Sequence, residues 1–178
     1  MDSVSFKNAL AEAKPKIEGL LEAGLSRDEA ADITSSFEIS SRPAAENFDI
    51  RDSTLRALFS GNDTSGVEIG LVRLNGHPEK VSGGWIIGQV EADYLMLNRI
   101  SGEILVMDIT SPDHVIWRCA KDGAGFLGAI AVAAKYLGAC ISSDQSGTSY
   151  QRDALRDCTN LAGGNEYSAF YKMLIGFE

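Results

Sequence analysis

The chain has 178 residues, 25 acidic against 16 basic, a formal net charge of -9 and 44% hydrophobic residues. Its length suits one domain with a core of real size. The apolar fraction excludes a disordered chain, and 18 glycines without a period exclude a collagen-like one. The charge balance counts against a general nucleic-acid or anionic-membrane binder, which needs clustered Lys and Arg, and favours basic protein partners.

The three cysteines, Cys119, Cys140 and Cys158, form no C-x-x-C pair, so neither a zinc ribbon nor a disulfide framework is expected. They read as reduced thiols of a cytoplasmic protein. Met1–Lys7 lacks a basic region followed by an apolar run, so no signal peptide is expected there. The most apolar stretch, Gly125–Cys140, contains Lys135 and is shorter than the ~20 residues of a bilayer span. Its alanines and glycines predict a tightly packed core helix.

Along the chain, residues 1-62 predict helices. Phe6, Leu10, Ala13, Ile17, Leu20 and Leu21 follow three-and-four spacing, with Pro15 as a kink or a helix start and Gly24 as a stop. Ser26 with Glu29 makes a capping-box pattern opening a helix over about Arg27–Ser35. Asp52 or Ser53 caps a further turn carrying Leu55, Leu58 and Phe59.

Residues 66-119 change to strand patterning. Val67–Leu74 predicts a first strand, ended by a turn at Asn75-Gly76-His77-Pro78, and Trp85–Val90 a second, opened by Gly83-Gly84. Tyr94–Asn98 and Glu103–Asp108 flank a Ser101-Gly102 turn, the strongest hairpin signal. His114–Cys119 makes a fifth strand. Strands so close together leave no room for crossover helices, so this part of the sheet must be antiparallel. Residues 123-178 return to helix. Phe126, Ile130, Ala133, Leu137 and Ile141 share one face, Ser142–Gly147 is a polar break, and Tyr167, Phe170, Tyr171 and Leu174 form an aromatic face after Gly163-Gly164. The expected architecture is one α+β domain over 1-178: a curled antiparallel sheet of about five strands backed by helices, with additional N- and C-terminal helices.

Few residues invite a chemical reading. Gly123-Ala124-Gly125-Phe126-Leu127-Gly128 fits the G-x-G-x-x-G of dinucleotide folds, and Asp144 stands 21 residues beyond Gly123. However, Lys121 and Asp122 stand where the buried first strand should be apolar. Only 34 residues follow Asp144, too few for the rest of a doubly wound sheet. A glycine-loosened turn before a packed helix is the better account. His77 and His114 lie in separate loops without metal-ligand spacing, so no metal and no cofactor is expected. A Cys119–His114 nucleophile pair is poor because residues five apart in one strand point to opposite faces.

Acidic residues crowd the hairpins: Glu91, Asp93, Glu103, Asp108 and Asp113. They read as solvated sheet edges that resist aggregation, or as a patch for a basic partner. Trp85 and Trp117 read first as core residues and second as interface anchors.

Ile87-Gly88, the strand carrying Leu97, the turn Ser101-Gly102-Glu103-Ile104, Trp117 and the helix opening Phe126-Leu127 follow one another as in the SUKH superfamily, which this chain resembles over roughly residues 66 to 138. The resemblance implies a curled antiparallel sheet backed by helices. It also implies a non-enzymatic immunity protein that binds and neutralises a cognate bacterial toxin. The family carries no fixed catalytic motif, so no catalytic residue transfers. The expected partner is then a toxin or other protein with a basic surface, met by Asp93, Glu103, Asp108 and Asp113 with Trp85 and Trp117 as anchors. An intracellular interaction adaptor of the same fold is the alternative, and a small nucleotide-binding domain around Gly123–Gly128 a third. The first 50 residues and the tail after Ser142 lie outside the resemblance.

Overall fold

The computed structural model describes residues 1–43, 45–142 and 148–177. The expected polar break beyond Ser142, and Asp144 with it, lies outside the described residues. The N-terminal helices begin and end where local chemistry places them. Helix α1 (Ser3–Ala13) is capped by Asp2, whose carboxylate accepts from the Ser5 N–H, and it stops before Pro15. Helix α2 (Ile17–Glu22) follows and is closed by Gly24 at φ +93°. Helix α3 (Arg27–Ser35) carries both bonds of the Ser26/Glu29 capping box. After strand β1 (Ser40–Ser41), Asp52 caps helix α4 (Ser53–Gly61) through the Leu55 N–H. Strand β2 (Asn62–Asp63) pairs with β1 in a small two-stranded sheet.

The main sheet is an antiparallel meander of six strands in sequence order. These are β3 (Glu68–Ile69), β4 (Val72–Val81), β5 (Gly84–Val90), β6 (Asp93–Asn98), β7 (Ile104–Met107) and β8 (Val115–Ala120). The fold is therefore α+β, with one strand more than expected. The predicted first strand is divided: the chain turns at Gly70-Leu71, with Gly70 at φ +59°. The turn expected at Asn75–Pro78 is absent, and β4 runs through it. Donors from elsewhere hold that stretch extended. Thr64 Oγ1 donates to the Asn75 carbonyl at 2.5 Å, and the Arg42 guanidinium donates to the Gly76 carbonyl. Pro78, which has no N–H, falls where the β4–β5 ladder is interrupted between Leu74 and Glu79. Further register shifts in the β5–β6 and β7–β8 ladders add the local bends that curl a sheet.

One face of the sheet carries Leu95, Leu97, Ile104 and Val106 into the main core, where they join Phe6, Leu55, Phe126 and Tyr171 from the helices. The alternate residues Met96, Leu105 and Met107 form a small cluster with Val81 and Tyr94 on the other face. The central helix, α5 (Gly123–Ser142), is buried along Phe126, Ile130 and Ala133, and its face emerges at Ile141. Its apolar stretch, Gly123–Ile141, is 19 residues, longer than the sequence reading allowed and sufficient by length and composition to cross a membrane. Yet 61% of its most apolar window is buried inside the fold, as in a core helix.

Small residues let neighbours approach α5. A Cβ on Gly138 would lie 2.4 Å from the Ala13 carbonyl oxygen of α1. Helix α6 (Thr148–Ala162) packs along α5 with its buried Ala154 and Cys158. A 3₁₀ turn (Asn165–Tyr167) and α7 (Ser168–Leu174) then cover β8, burying the predicted Tyr167, Phe170, Tyr171 and Leu174. Tyr171 Oη donates to the Cys119 carbonyl at 2.8 Å.

Candidate functional site

An antiparallel meander has two ends, and here they differ in charge. One end gathers the β5–β6 turn and the β7–β8 loop; the other gathers the β4–β5 and β6–β7 turns and the start of α5. Strand β6, of six residues, sets them roughly 20 Å apart.

The first end is acidic. Glu91 sits in the two-residue turn between β5 and β6 at φ +53° and is exposed. Asp93 opens β6 and accepts from the Ile109 N–H at 3.1 Å, which ties it to the β7–β8 loop. Asp108 opens that loop and accepts from Thr110 Oγ1 at 2.6 Å, the Thr110 N–H at 2.7 Å and the Ser111 N–H at 3.2 Å. The Thr110 hydroxyl first, and then these backbone donors, hold the Asp108 carboxyl below its ordinary value. Asp113 is exposed in the same loop. Among the described residues none of these four carboxylates pairs with a Lys or Arg. Beside them Ile109 and Val115 are 43% and 41% exposed.

Glu103 does not join that cluster. It lies at the other end of β7, and its carboxylate receives the Arg118 guanidinium and, at 3.0 Å, the Tyr167 hydroxyl. Burial pushes the Glu103 carboxyl up, but the donors Arg118, Tyr167 and Ser101 outweigh it and keep the group below its ordinary value. Arg118 also reaches Glu166 at 3.0 Å and lies 5.4 Å from the Tyr167 ring centre. This carboxylate binds the C-terminal segment to the sheet.

The tryptophans also separate. Trp117 is midway along the edge strand β8, opposite Val106 and half-buried against the main core. Trp85 stands at the end opposite the acidic loops, with Lys80 Nζ 5.5 Å from its ring centre and Phe48 edge-on at 6.4 Å. It borders a cavity of about 460 Å³ whose wall includes Arg51, Lys80, Arg99 and Lys121. Nothing in composition pointed to these cations. The one local signal was Ile100, an isoleucine placed in a turn and 93% exposed.

The glycine motif is explained by packing. A Cβ on Gly123 would meet Leu55 Cγ at 2.5 Å, and one on Gly125 the Leu161 carbonyl oxygen at 2.8 Å. The Gly123 N–H donates to Asp52 Oδ2 at 2.9 Å and the Gly125 N–H to Asp122 Oδ1 at 2.7 Å. Two carboxylates thus occupy the helix terminus where a pyrophosphate would need free N–H groups. Cys119 is wholly buried, which pushes its thiol well up, whereas His114 is exposed. No group of three His, Cys, Asp or Glu side chains able to hold a metal occurs among the described residues. In comparisons with known proteins, no family model, no curated protein and no solved structure matches the chain.

Proposed function

We propose that the chain is a non-enzymatic, SUKH-like immunity protein that neutralises a cognate bacterial toxin by occluding it. The observation that carries this reading is the convergence of Glu91, Asp93, Asp108 and Asp113 at one end of the sheet, none of them paired with a Lys or Arg among the described residues. Carboxylates already paired inside the fold, as Glu103 is, have little left to offer a ligand. Among the described residues Asp93 and Asp108 accept from loop backbone and hydroxyl groups and Glu91 and Asp113 are exposed, so their charge is available. The α+β fold with a curled sheet, which the family resemblance implies, supports the same reading.

The toxin would present the basic residues that engage its own substrate, and the acidic end would cover them. Opposite charges steer the encounter, and burial of Ile109 and Val115 slows release. Trp117 is a core residue in this account, and Trp85 and Glu103 serve the other end. The test is growth of a heterologous host expressing the product of the adjacent gene, alone and together with this chain. Toxicity of the neighbour alone, relieved by co-expression and not by a chain with Asp93→Lys and Asp113→Lys, is the expected result. A harmless neighbour overturns the immunity reading and leaves an adaptor of the same fold.

A further inference from the structure

The cavity beside Trp85 is unlike the rest of this acidic molecule. Its floor is apolar, formed by half-buried Trp85 and buried Leu97, and Ile100 stands exposed at its rim. Lys80 is satisfied by Asp49 at 3.3 Å. Arg51, Arg99 and Lys121 are exposed, and among the described residues none of the three forms an ion pair. Asp49, Asp52 and Asp122 share this wall, but Asp49 pairs with Lys80 and the other two accept helix N–H groups, so the four cations leave the cavity net positive in a chain of net charge -9. A volume near 460 Å³ is ample for one large side chain and the backbone on either side of it.

The available donors distinguish between anions. A compact phosphate is best held by converging backbone N–H groups. Those at hand are already used: Gly123 and Gly125 donate to Asp52 and Asp122, and Ile100 and Ser101 donate to Asn98 Oδ1 at 2.9 and 3.0 Å. What remains, beside carboxylates already bonded within the fold, is an apolar floor and three cations that form no ion pair among the described residues. We propose that this pocket binds an acidic peptide segment of a partner protein, its large apolar residue against Trp85 and its flanking carboxylates on Arg51, Arg99 and Lys121. The site is independent of the acidic end and takes the opposite charge, so either can fail without the other.

Isothermal titration calorimetry of the full chain with the peptide acetyl-EDFDE-amide tests the assignment. Saturable binding that weakens about tenfold in the R51E/R99E variant and falls as salt rises is expected. In a W117F variant, which leaves Trp85 as the single tryptophan, the acidic peptide should shift the emission and acetyl-KRFRK-amide should not. Absence of binding to the wild-type chain, or equal affinity in R51E/R99E, would overturn the site. Tighter binding of ATP than of the acidic peptide, lost in the same variant, would overturn the peptide assignment in favour of a phosphate ligand.

Discussion

The two ends of the sheet carry charge in different ways. At the Trp85 end, the carboxylates are joined to the fold: Asp52 caps α4 and bonds the first N–H of α5, Asp122 accepts from the Gly125 N–H in the first turn of α5, and Glu103 links Arg118 to Tyr167. At the acidic end, Asp93 and Asp108 bond only the loop beside them, and Glu91 and Asp113 face water. Sign and number of charges are thus poor guides to a binding surface. What distinguishes Asp52 and Glu103 from Asp93 and Asp108 is that the first two join separate elements, α4 to α5 and β7 to the C-terminal segment, whereas the last two close the loop at their own end of the sheet.

That contrast predicts a graded series. Trp85→Ala removes a half-buried ring against Phe48 and the core, and should cost roughly 2–3 kcal/mol in urea denaturation, below the usual cost of a fully buried tryptophan. A loss under about 0.5 kcal/mol would mean that Trp85 is an external platform rather than part of the fold. Asp52→Ala deletes the caps of two helices and should cost about 2 kcal/mol. If Asp52→Asn retains most of that stability, hydrogen bonding rather than charge is the cause.

Glu103→Gln should cost about 1–2 kcal/mol, and it also has a pH signature. The folded carboxyl lies below its ordinary value, so its contribution is complete above the unfolded value of about 4.3 and is lost as pH falls through the lower folded value. The wild-type chain should therefore lose stability in that acid window faster than the Gln variant. Parallel curves would remove Glu103 from the structural class. At the acidic end, Asp93→Lys with Asp113→Lys should change stability by less than about 0.5 kcal/mol while slowing association with a basic partner. The smallest effect concerns the glycine motif: adding NAD or ATP should leave the melting temperature unchanged, because the N–H groups of Gly123 and Gly125 are committed.

Features decided within a few residues were legible in the sequence. The Ser26/Glu29 box, the Gly24 stop, the Asp52 cap and the hairpin of Tyr94–Asn98 with its partner strand all depend on neighbours close in the chain. The misplaced turn at Asn75–Pro78 shows where that logic stops. Its residues favour a turn, but Thr64 and Arg42 supply donors from other segments and the strand continues. The site was legible in part for the same reason. Asp93, Asp108 and Asp113 share an end of the sheet by strand order alone, which the hairpin spacing implied. The same strand order puts Glu103, beside the Ser101-Gly102 turn, at the other end; what no spacing indicated is its commitment to Arg118, 15 residues away, and Tyr167, 64 residues away. The cavity at Trp85 draws its walls from the segments around Arg51, Lys80, Arg99 and Lys121. No local pattern brings those four together.

The last strand of the meander is a sheet edge, and an edge is a template on which another chain can extend the ladder. Here the template is covered. The 3₁₀ turn and α7 lie over β8, Tyr171 takes the Cys119 carbonyl, and Arg118 reaches out of the strand to Glu166. At the opposite edge the two-residue β3 pairs with Val72 and Arg73 of β4, and beyond it Thr64 and Arg42 take the Asn75 and Gly76 carbonyls. Residues 165–174 thus act as a guard against fibrous self-assembly as well as a wall of the core, and the aromatic spacing of Tyr167, Phe170 and Tyr171 serves both purposes. Loosening that segment would expose a strand in which Arg118 is the one charged residue before the rest of the sheet had opened.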